Sequence, residues 1–171
     1  MRWFFDTEFN EDGRTIELIS IGMVNELGTE QYYAVSSEFD PEACNDWVKT
    51  NVLSKLPDKA NWKPRRVIAN EIEGMVLGLG GRPKPEFWAY FADYDWVVLC
   101  QLYGKMIDLP KGFPMYCMDL KQLMKMMGFD KSDLPQQEST GVHNALEDAK
   151  WARTAWLWID QRLRVARETV P

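Results

Sequence analysis

Three groups of side chains in this sequence could bind a cation and move a proton. The first is Asp6 and Glu8, which lie two residues apart, directly after the apolar run Trp3-Phe4-Phe5. Residues two apart on a β-strand project from the same face, so these carboxylates would repel each other unless a cation lay between them. Carboxylate oxygens are hard ligands that suit Mg²⁺ or Mn²⁺. The pair indicates either a metal site or an exposed acidic strand end.

The second group is a pair of mid-chain aspartates, Asp93 and Asp95. Both come just past a predicted buried strand, residues 86–91, and at the start of a predicted helix. The junction of a strand end and a helix start is the usual place for an active site in an α/β protein. Asp95 could reach inward as a metal ligand while Asp93 caps the helix, or either residue could serve only as a cap.

The third group opens the last predicted helix and contains the only histidine, His143. Asp148 falls three residues after Ala145 and four before Ala152, which places its carboxylate beside the apolar stripe of that helix. An isolated buried charge is costly, so this carboxylate needs a partner such as a cation. Histidine can accept a proton near neutral pH, which makes His143 a candidate general base.

Composition limits the class of protein. The chain has 171 residues, of which 46% are hydrophobic, so we expect one domain with a substantial core. The net charge of −6 argues against a broad basic surface, although not against a nuclease that holds a few nucleotides through metals. No apolar run approaches the roughly 20 residues that span a membrane, and no signal peptide is evident. The three scattered cysteines favour free thiols in a cytoplasmic protein.

The predicted elements indicate an α/β fold with a mixed sheet. Three early strands with short turns between them favour an antiparallel meander, and helices then alternate with strands. The early strands are predicted at residues 3–5, 15–24 and 30–35. The later elements are predicted as a helix begun by Asp46, a helix at 65–77, a turn at 78–85, a strand at 86–91, a helix at 94–103, a short strand at 114–118, a helix capped by Asp119 and ended by Gly128, a loop at 130–140 and a helix at 144–168.

The last helix carries a second apolar stripe besides the one that contains its alanines. Trp151, Trp158 and Val165 recur every seven residues. This spacing favours either additional core or a subunit interface, the latter implying a homodimer.

Taken together and in order, these motifs resemble the DEDDh 3′→5′ exonucleases. They are the N-terminal Asp-Thr-Glu, a mid-chain aspartate at a strand-to-helix junction, and His-Asn-Ala-Leu-Glu-Asp-Ala at the last helix. This family belongs to the RNase T-like superfamily, which has a ribonuclease H-like core. The short chain and its opening residues resemble in particular the small bacterial and phage exoribonucleases of the RNase AS group, which are associated with adenylate-containing RNA tails.

The resemblance implies a site and a reaction. The metal ligands would be Asp6, Glu8, Asp95 and Asp148, holding two Mg²⁺ or Mn²⁺ ions, with His143 as the base. The substrate would be the 3′ end of single-stranded RNA and the product AMP or another nucleoside 5′-monophosphate. Many family members have His-Asn before the middle aspartate, where this chain has Tyr-Phe-Ala, so Asp93 stays an alternative to Asp95.

Two points stay open at this stage. Phe9 and Trp88 are candidates for stacking on substrate bases, although both also suit the core or its rim. The competing functions are a single-stranded DNA exonuclease and a nucleotide- or protein-binding module without turnover.

Overall fold

The computed structural model describes residues 1–78, 83–137 and 142–168, with side chains described up to Val165. The predicted turn at 78–85 and the predicted loop at 130–140 lie partly outside these residues. None of the helices in the described ranges is long and apolar enough to cross a membrane.

The described strands form one five-stranded mixed sheet in the order β3-β2-β1-β4-β5. The first three strands pair antiparallel, whereas β4 runs parallel to β1 and β5 runs parallel to β4. The predicted meander and the predicted mixed sheet are therefore confirmed. The strands are β1 (Arg2–Glu11), β2 (Ile16–Asn25), β3 (Gln31–Val35), β4 (Glu86–Ala89) and β5 (Met118–Asp119).

Helices cover both faces of this sheet. Successive residues of β1 point to opposite faces, so this strand contributes side chains to a core on each side. Trp3 and Phe5 pack in a core with α2 and α3, while Phe4 packs in a second core with α4 and α5. A third, smaller cluster joins α1 to β2 and β3. The helices are α1 (Asp46–Asn51), α2 (Arg65–Leu77), α3 (Ala92–Gln101), α4 (Leu120–Met127) and α5 (Ala145–Glu168).

Several predicted boundaries were wrong, and β1 matters most for the site. It runs to Glu11 rather than ending at Phe5, because it pairs with β2 along its whole length. Asp6 and Glu8 therefore lie within a strand and not at its end. The fifth strand begins only at Met118, and α1 is capped by Asn45, which accepts a hydrogen bond from the Val48 N–H, rather than by Asp46.

A glycine in β2 allows the last helix to reach the sheet. Gly22 pairs with Asp6, and a Cβ atom at this position would overlap the backbone of Ala145 and Leu146 at the start of α5. Only glycine permits so close an approach of helix backbone to strand. The first turns of α5, with Asp148, are thereby placed over the strand that carries Asp6.

The tryptophan stripe of α5 contributes to the core. Trp151 is buried against Tyr90 and donates its indole N–H to the Pro135 carbonyl at 2.9 Å. Trp158 is partly buried against Phe129. The core interpretation is confirmed for these two tryptophans, whereas Val165 is 56% exposed and lies outside the core. The homodimer stays a prediction. Cys44, Cys100 and Cys117 are all free thiols, as predicted.

Candidate active site

Three of the predicted acidic residues converge at one end of the sheet. Asp6 and Glu8 share one face of β1, and Asp148 comes from the first turn of α5, which lies over that face. Each offers a carboxylate oxygen, and these three oxygens all lie within 4.8 Å of one another. All three side chains are partly buried. This is a spacing at which one cation can contact all three groups.

Asp95 lines the same cleft, and hydrogen bonds from Thr7 hold its carboxylate at the edge of that cleft. Its Oδ1 accepts hydrogen bonds from the Thr7 N–H at 2.8 Å and from the Thr7 hydroxyl at 2.6 Å. Asp95 is 6% exposed, and its oxygens fall outside the group of three described above. The structure thus ties the start of α3 to β1 and places a fourth carboxylate at the edge of the cluster.

The geometry separates Asp95 from its alternative. Asp93 is exposed and does not line the cleft. It also does not cap α3 as predicted: the first amide of that helix, on Ala92, donates instead to Asp119 at 2.8 Å. Asp119 caps α4 through the Gln122 N–H as well, which confirms its predicted role there. Of the two mid-chain candidates, only Asp95 faces the other acids.

Burial and mutual repulsion disfavour the charged forms of the carboxyl groups in this cluster. Burial raises the pKa of Asp6 well above its usual value, and the carboxylates of Asp95, Asp148 and Glu8 raise it further. Burial, followed by the charges of Asp148 and Asp95, raises the pKa of Glu8 to about 8, while nearby Lys55 opposes the rise. These carboxyl groups favour a bound proton or a bound cation at neutral pH.

The other two acids share this environment. Burial raises the pKa of Asp95 to about 6, against the lowering effect of the Thr7 hydrogen bonds. Burial also raises the pKa of Asp148, opposed by a hydrogen bond from Gln137 and by His143. Hard oxygen ligands whose pKa values stay raised beside these positive groups fit Mg²⁺ or Mn²⁺.

His143 lines the cleft beside the acids. It lies two residues before α5 with a φ of 62°, an uncommon backbone conformation for a residue other than glycine. Its ring meets the ring of Trp47 edge-to-face at a centroid distance of 4.9 Å. The next residue, Asn144, accepts hydrogen bonds from the amides of Leu146 and Glu147 and so caps the helix. The cap fixes where the helix begins and therefore where Asp148 lies.

Aromatic rings form the rim of this cleft, which has a volume of about 280 Å³. Phe9 stacks on Tyr94 with an interplanar angle of 9° and a centroid distance of 5.7 Å. Phe91 is 59% exposed and has a φ of 61°, although it is a bulky residue. Trp88, in contrast, is 6% exposed, packs on Trp156 and donates its indole N–H to Glu86. Phe9 therefore remains a stacking candidate, and Trp88 is a core residue away from the cleft.

Sequence reasoning missed several residues that build the site. Thr7 stood between two candidate ligands, but only the fold reveals its contact with Asp95, 88 residues away. Gly22 carried a readable signal, because a glycine inside a predicted strand often marks a close backbone approach. Trp47 and Lys55 carried no recognisable pattern in the sequence, since their contacts join distant parts of the chain. They contact the loop residues Val142 and His143, called the histidine loop below.

The chain is similar to known exoribonucleases. The family model described as the 3′-5′ exoribonuclease Rv2179c-like domain matches residues 1–159. The 3′-5′ exoribonuclease Rv2179c of Mycobacterium tuberculosis (strain ATCC 25618 / H37Rv) is 48% identical over 152 residues, which are 88% of each chain.

Solved structures share the fold at low sequence identity. The nuclease domain of 3′hExo, a DEDDh family member bound to rAMP, matches with a TM-score of 0.54 and 14% identity over 94% of this chain and 92% of that one. A 3′-exonuclease that recognises the 3′ end of a histone mRNA stem-loop matches with a TM-score of 0.56 and 11% identity, over 94% of this chain and 63% of that one. The ribonuclease H-like fold expected from the sequence is thus confirmed, and the chain belongs to the Rv2179c-like 3′-5′ exoribonuclease family.

Proposed function

We propose that this nuclease removes nucleotides one at a time from the 3′ end of single-stranded RNA and releases nucleoside 5′-monophosphates. The observation that carries this proposal is the convergence of Asp6, Glu8 and Asp148 within 4.8 Å, in a cleft that also contains His143 and Asp95. Carboxylates with raised pKa values beside an imidazole suit metal-assisted phosphodiester hydrolysis. Membership of an exoribonuclease family supports the same activity.

The four carboxylates and the imidazole have separate roles in this proposal. Asp6, Glu8 and Asp148 would hold two Mg²⁺ or Mn²⁺ ions, with Asp95 completing the ligand set. When bound, the ions would supply charge for the phosphate and lower the pKa of the attacking water. His143 would take the proton from that water as its oxygen bonds to phosphorus. The bond from phosphorus to the 3′-oxygen of the penultimate nucleotide would break, and that oxygen would take a proton from solvent water to become a new 3′-hydroxyl, while His143 would release its proton to solvent.

The surroundings of the cluster favour a narrow, single-stranded substrate. A cleft of about 280 Å³ is near the lower limit for small-molecule sites, which suits one terminal nucleotide. The exposed rings of Phe91 and Tyr94, the latter stacked on Phe9, offer faces for bases. Lys131 lies over the rings of Trp151 and Tyr90 at 4.9 and 5.5 Å. Its ammonium group is available for a substrate phosphate close to Asp148, whose pKa it lowers.

Base preference, sugar preference and assembly belong to the proposal as well. The RNase AS resemblance favours adenylate-containing tails, with AMP as the product. We also propose that residues 1–171 act as a single domain in the cytoplasm and that the chain forms a homodimer. Light scattering of the purified protein would measure its assembly state.

The test is a degradation assay with matched substrates. The protein, freed of metal and then given Mn²⁺ or Mg²⁺, would be incubated with 5′-labelled RNA oligomers of each base and with DNA of the same sequence. We expect a ladder that shortens from the 3′ end, with mononucleotides released and adenylate RNA degraded fastest. Faster cleavage of the DNA would favour the single-stranded DNA exonuclease instead. Binding of oligomers without shortening under either metal would favour a module without turnover.

A further inference from the structure

His143 lies outside the regular structure that holds the carboxylates. Val142 and His143 belong to neither a helix nor a strand, whereas Asp6, Glu8, Asp95 and Asp148 all lie within such elements. A general base must lie within hydrogen-bonding reach of the proton that it removes. Something other than the sheet must therefore set the position of this imidazole.

Trp47 makes an aromatic contact with the histidine ring. It lies in the first turn of α1 and meets His143 edge-to-face, at 82° and 4.9 Å between ring centroids. Its side chain is 54% exposed, so burial in the core does not account for its position. Val48, the next residue, and Val52, the C-cap residue after α1, are buried in the small cluster that contains Ile19 of β2. The exposed tryptophan therefore lies on a helix whose position is fixed by the packing of Val48 and Val52 in this cluster.

Lys55 holds the backbone of the same loop. It lies in a short 3-10 helix, Leu53–Lys55, directly after α1, and its Nζ donates a hydrogen bond to the Val142 carbonyl at 2.6 Å. This contact joins residues 87 positions apart and fixes the backbone immediately before His143. The ring and the backbone of the base are thus held by two neighbouring parts of one segment.

We propose that residues 45–56 form a positioning platform for His143. In this proposal the Trp47 ring sets the orientation of the imidazole. Lys55, through its hydrogen bond to Val142, sets the distance between the His143 backbone and the carboxylates. Neither residue is a catalytic residue in this proposal: Trp47 acts through the ring of His143, and Lys55 acts through the histidine backbone as well as through its charge near Glu8. The proposal rests on the proposed function only for its kinetic consequences.

A double-mutant cycle tests the kinetic consequence. Trp47→Ala should lower kcat for RNA by about 10- to 100-fold, the usual cost of losing a group that orients a catalytic side chain. KM for RNA and the affinity for Mn²⁺ should stay within about 2-fold. In a His143→Ala background, Trp47→Ala should have no further effect, because the group that it positions is gone. Equal losses in both backgrounds, or a change in KM alone, would overturn the proposal and indicate a contact with RNA.

Two controls separate positioning from general damage. Tyr116→Ala removes a similarly exposed aromatic ring, 64% exposed, just before β5 and thus at the opposite end of the sheet. It should leave kcat unchanged. Lys55→Met should lower kcat while Lys55→Arg restores most of it. Lys59→Met removes a lysine four residues on that lies over Trp62 and, in the described part of the chain, is not among the contacts of the histidine loop, so it should not change kcat. Equal losses from Lys55→Met and Lys59→Met would contradict the role of Lys55.

The second test needs no activity, because His143 is the only histidine in the chain. Protein labelled with ¹³C only at the histidine Cε1, and prepared without a histidine tag, gives a single ring signal by NMR. In the folded protein this signal should be displaced from its random-coil position by the Trp47 ring. Trp47→Ala should move it back, Lys55→Met should broaden or shift it, and Tyr116→Ala should do neither. A random-coil signal that ignores all three changes would refute the platform even if the protein degraded no RNA.

Discussion

The carboxylates and the imidazole of this site are held in different ways. Asp6 and Glu8 lie on the central strand, and Asp148 lies on a helix whose backbone is packed against Gly22 of the neighbouring strand. Their positions are fixed by the same sheet that forms the core. His143 instead lies on a loop that Trp47 and Lys55 contact from a peripheral segment. The affinity for metal should therefore be insensitive to substitutions outside the sheet and α5. The rate of proton transfer should be sensitive to substitutions at Trp47 and Lys55.

Removing one central ligand should give the largest effect. Asp6→Asn keeps the shape of the side chain but removes a carboxylate that interacts with the three other acids, so activity with Mn²⁺ should fall to background. The measurement is the release of mononucleotides from RNA at saturating metal. Glu11→Gln is the matched control, since it removes an exposed carboxylate from the end of the same strand and should leave the rate unchanged. An active Asp6→Asn protein would contradict the metal scheme.

Removing the base should cost less than removing a ligand. His143→Ala should lower turnover by about 10²–10⁴-fold, the range expected for a general base, while Mn²⁺ affinity stays unchanged. Single-turnover degradation together with calorimetric metal titration measures both quantities. Loss of metal binding in this variant would mean that the loop and the carboxylates are one unit, against the contrast drawn above. A rate within 2-fold of wild type would remove His143 from its role.

The two mid-chain aspartates offer a sharper comparison. Asp95→Asn should lower activity by about 10- to 100-fold, because it removes the fourth carboxylate and weakens the link to Thr7. Asp93→Asn changes an exposed residue two positions away and should alter activity by less than 2-fold. Parallel assays of both variants decide between them. The reverse order would restore Asp93 as the ligand.

A single methyl group on β2 should disturb the acids from a distance. Gly22→Ala places a Cβ atom where the backbone of Leu146 lies, so α5 must shift and carry Asp148 with it. We expect about a 10²-fold loss of activity and about 1–3 kcal/mol of lost stability. Gly74→Ala, at a helical glycine with open space around its Cβ position, is the control and should cost neither. Calorimetric unfolding and RNA degradation measure the two effects, and a fully active Gly22→Ala protein would contradict the close approach.

The pH dependence of stability should report the strain among the acids. The raised pKa of Glu8 means that the folded protein binds this proton more tightly than the unfolded chain does. Its favourable contribution is complete below about pH 4.5 and is lost as pH rises towards about 8. Metal-free wild type should therefore lose on the order of 1–3 kcal/mol relative to Glu8→Gln across this range, because partial exposure moderates the repulsion.

Thermal unfolding in EDTA at pH 5 and pH 8 measures this difference. Mg²⁺ should raise the melting temperature of the wild type more at pH 8, where the carboxylates are charged, than at pH 5. Parallel stability profiles for wild type and Glu8→Gln would show that neither burial nor the neighbouring carboxylates raise the pKa of Glu8.

The sequence predicted the acids better than it predicted their surroundings. Asp6, Glu8 and Asp148 could be recognised because local spacing places them on known faces of a strand and a helix. The length of β1 was missed because Asp6, Glu8 and Asn10 interrupt the apolar pattern, and only pairing with β2 extends the strand past them.

The contacts that fix the histidine could not be predicted for a related reason. Lys55 meets Val142 across 87 residues, and Trp47 meets His143 across a similar separation. No periodicity within either segment encodes such a pairing. It follows from the way the small α1 cluster packs on β2 and β3, which is a property of the folded chain.

The most direct measurement is anomalous diffraction from crystals of the protein soaked with Mn²⁺. The account predicts strong anomalous density within coordination distance of carboxylate oxygens of Asp6, Glu8 and Asp148, and none there in crystals of Asp6→Asn. Manganese bound elsewhere, or a wild-type cleft without density at a concentration that supports RNA degradation, would contradict it.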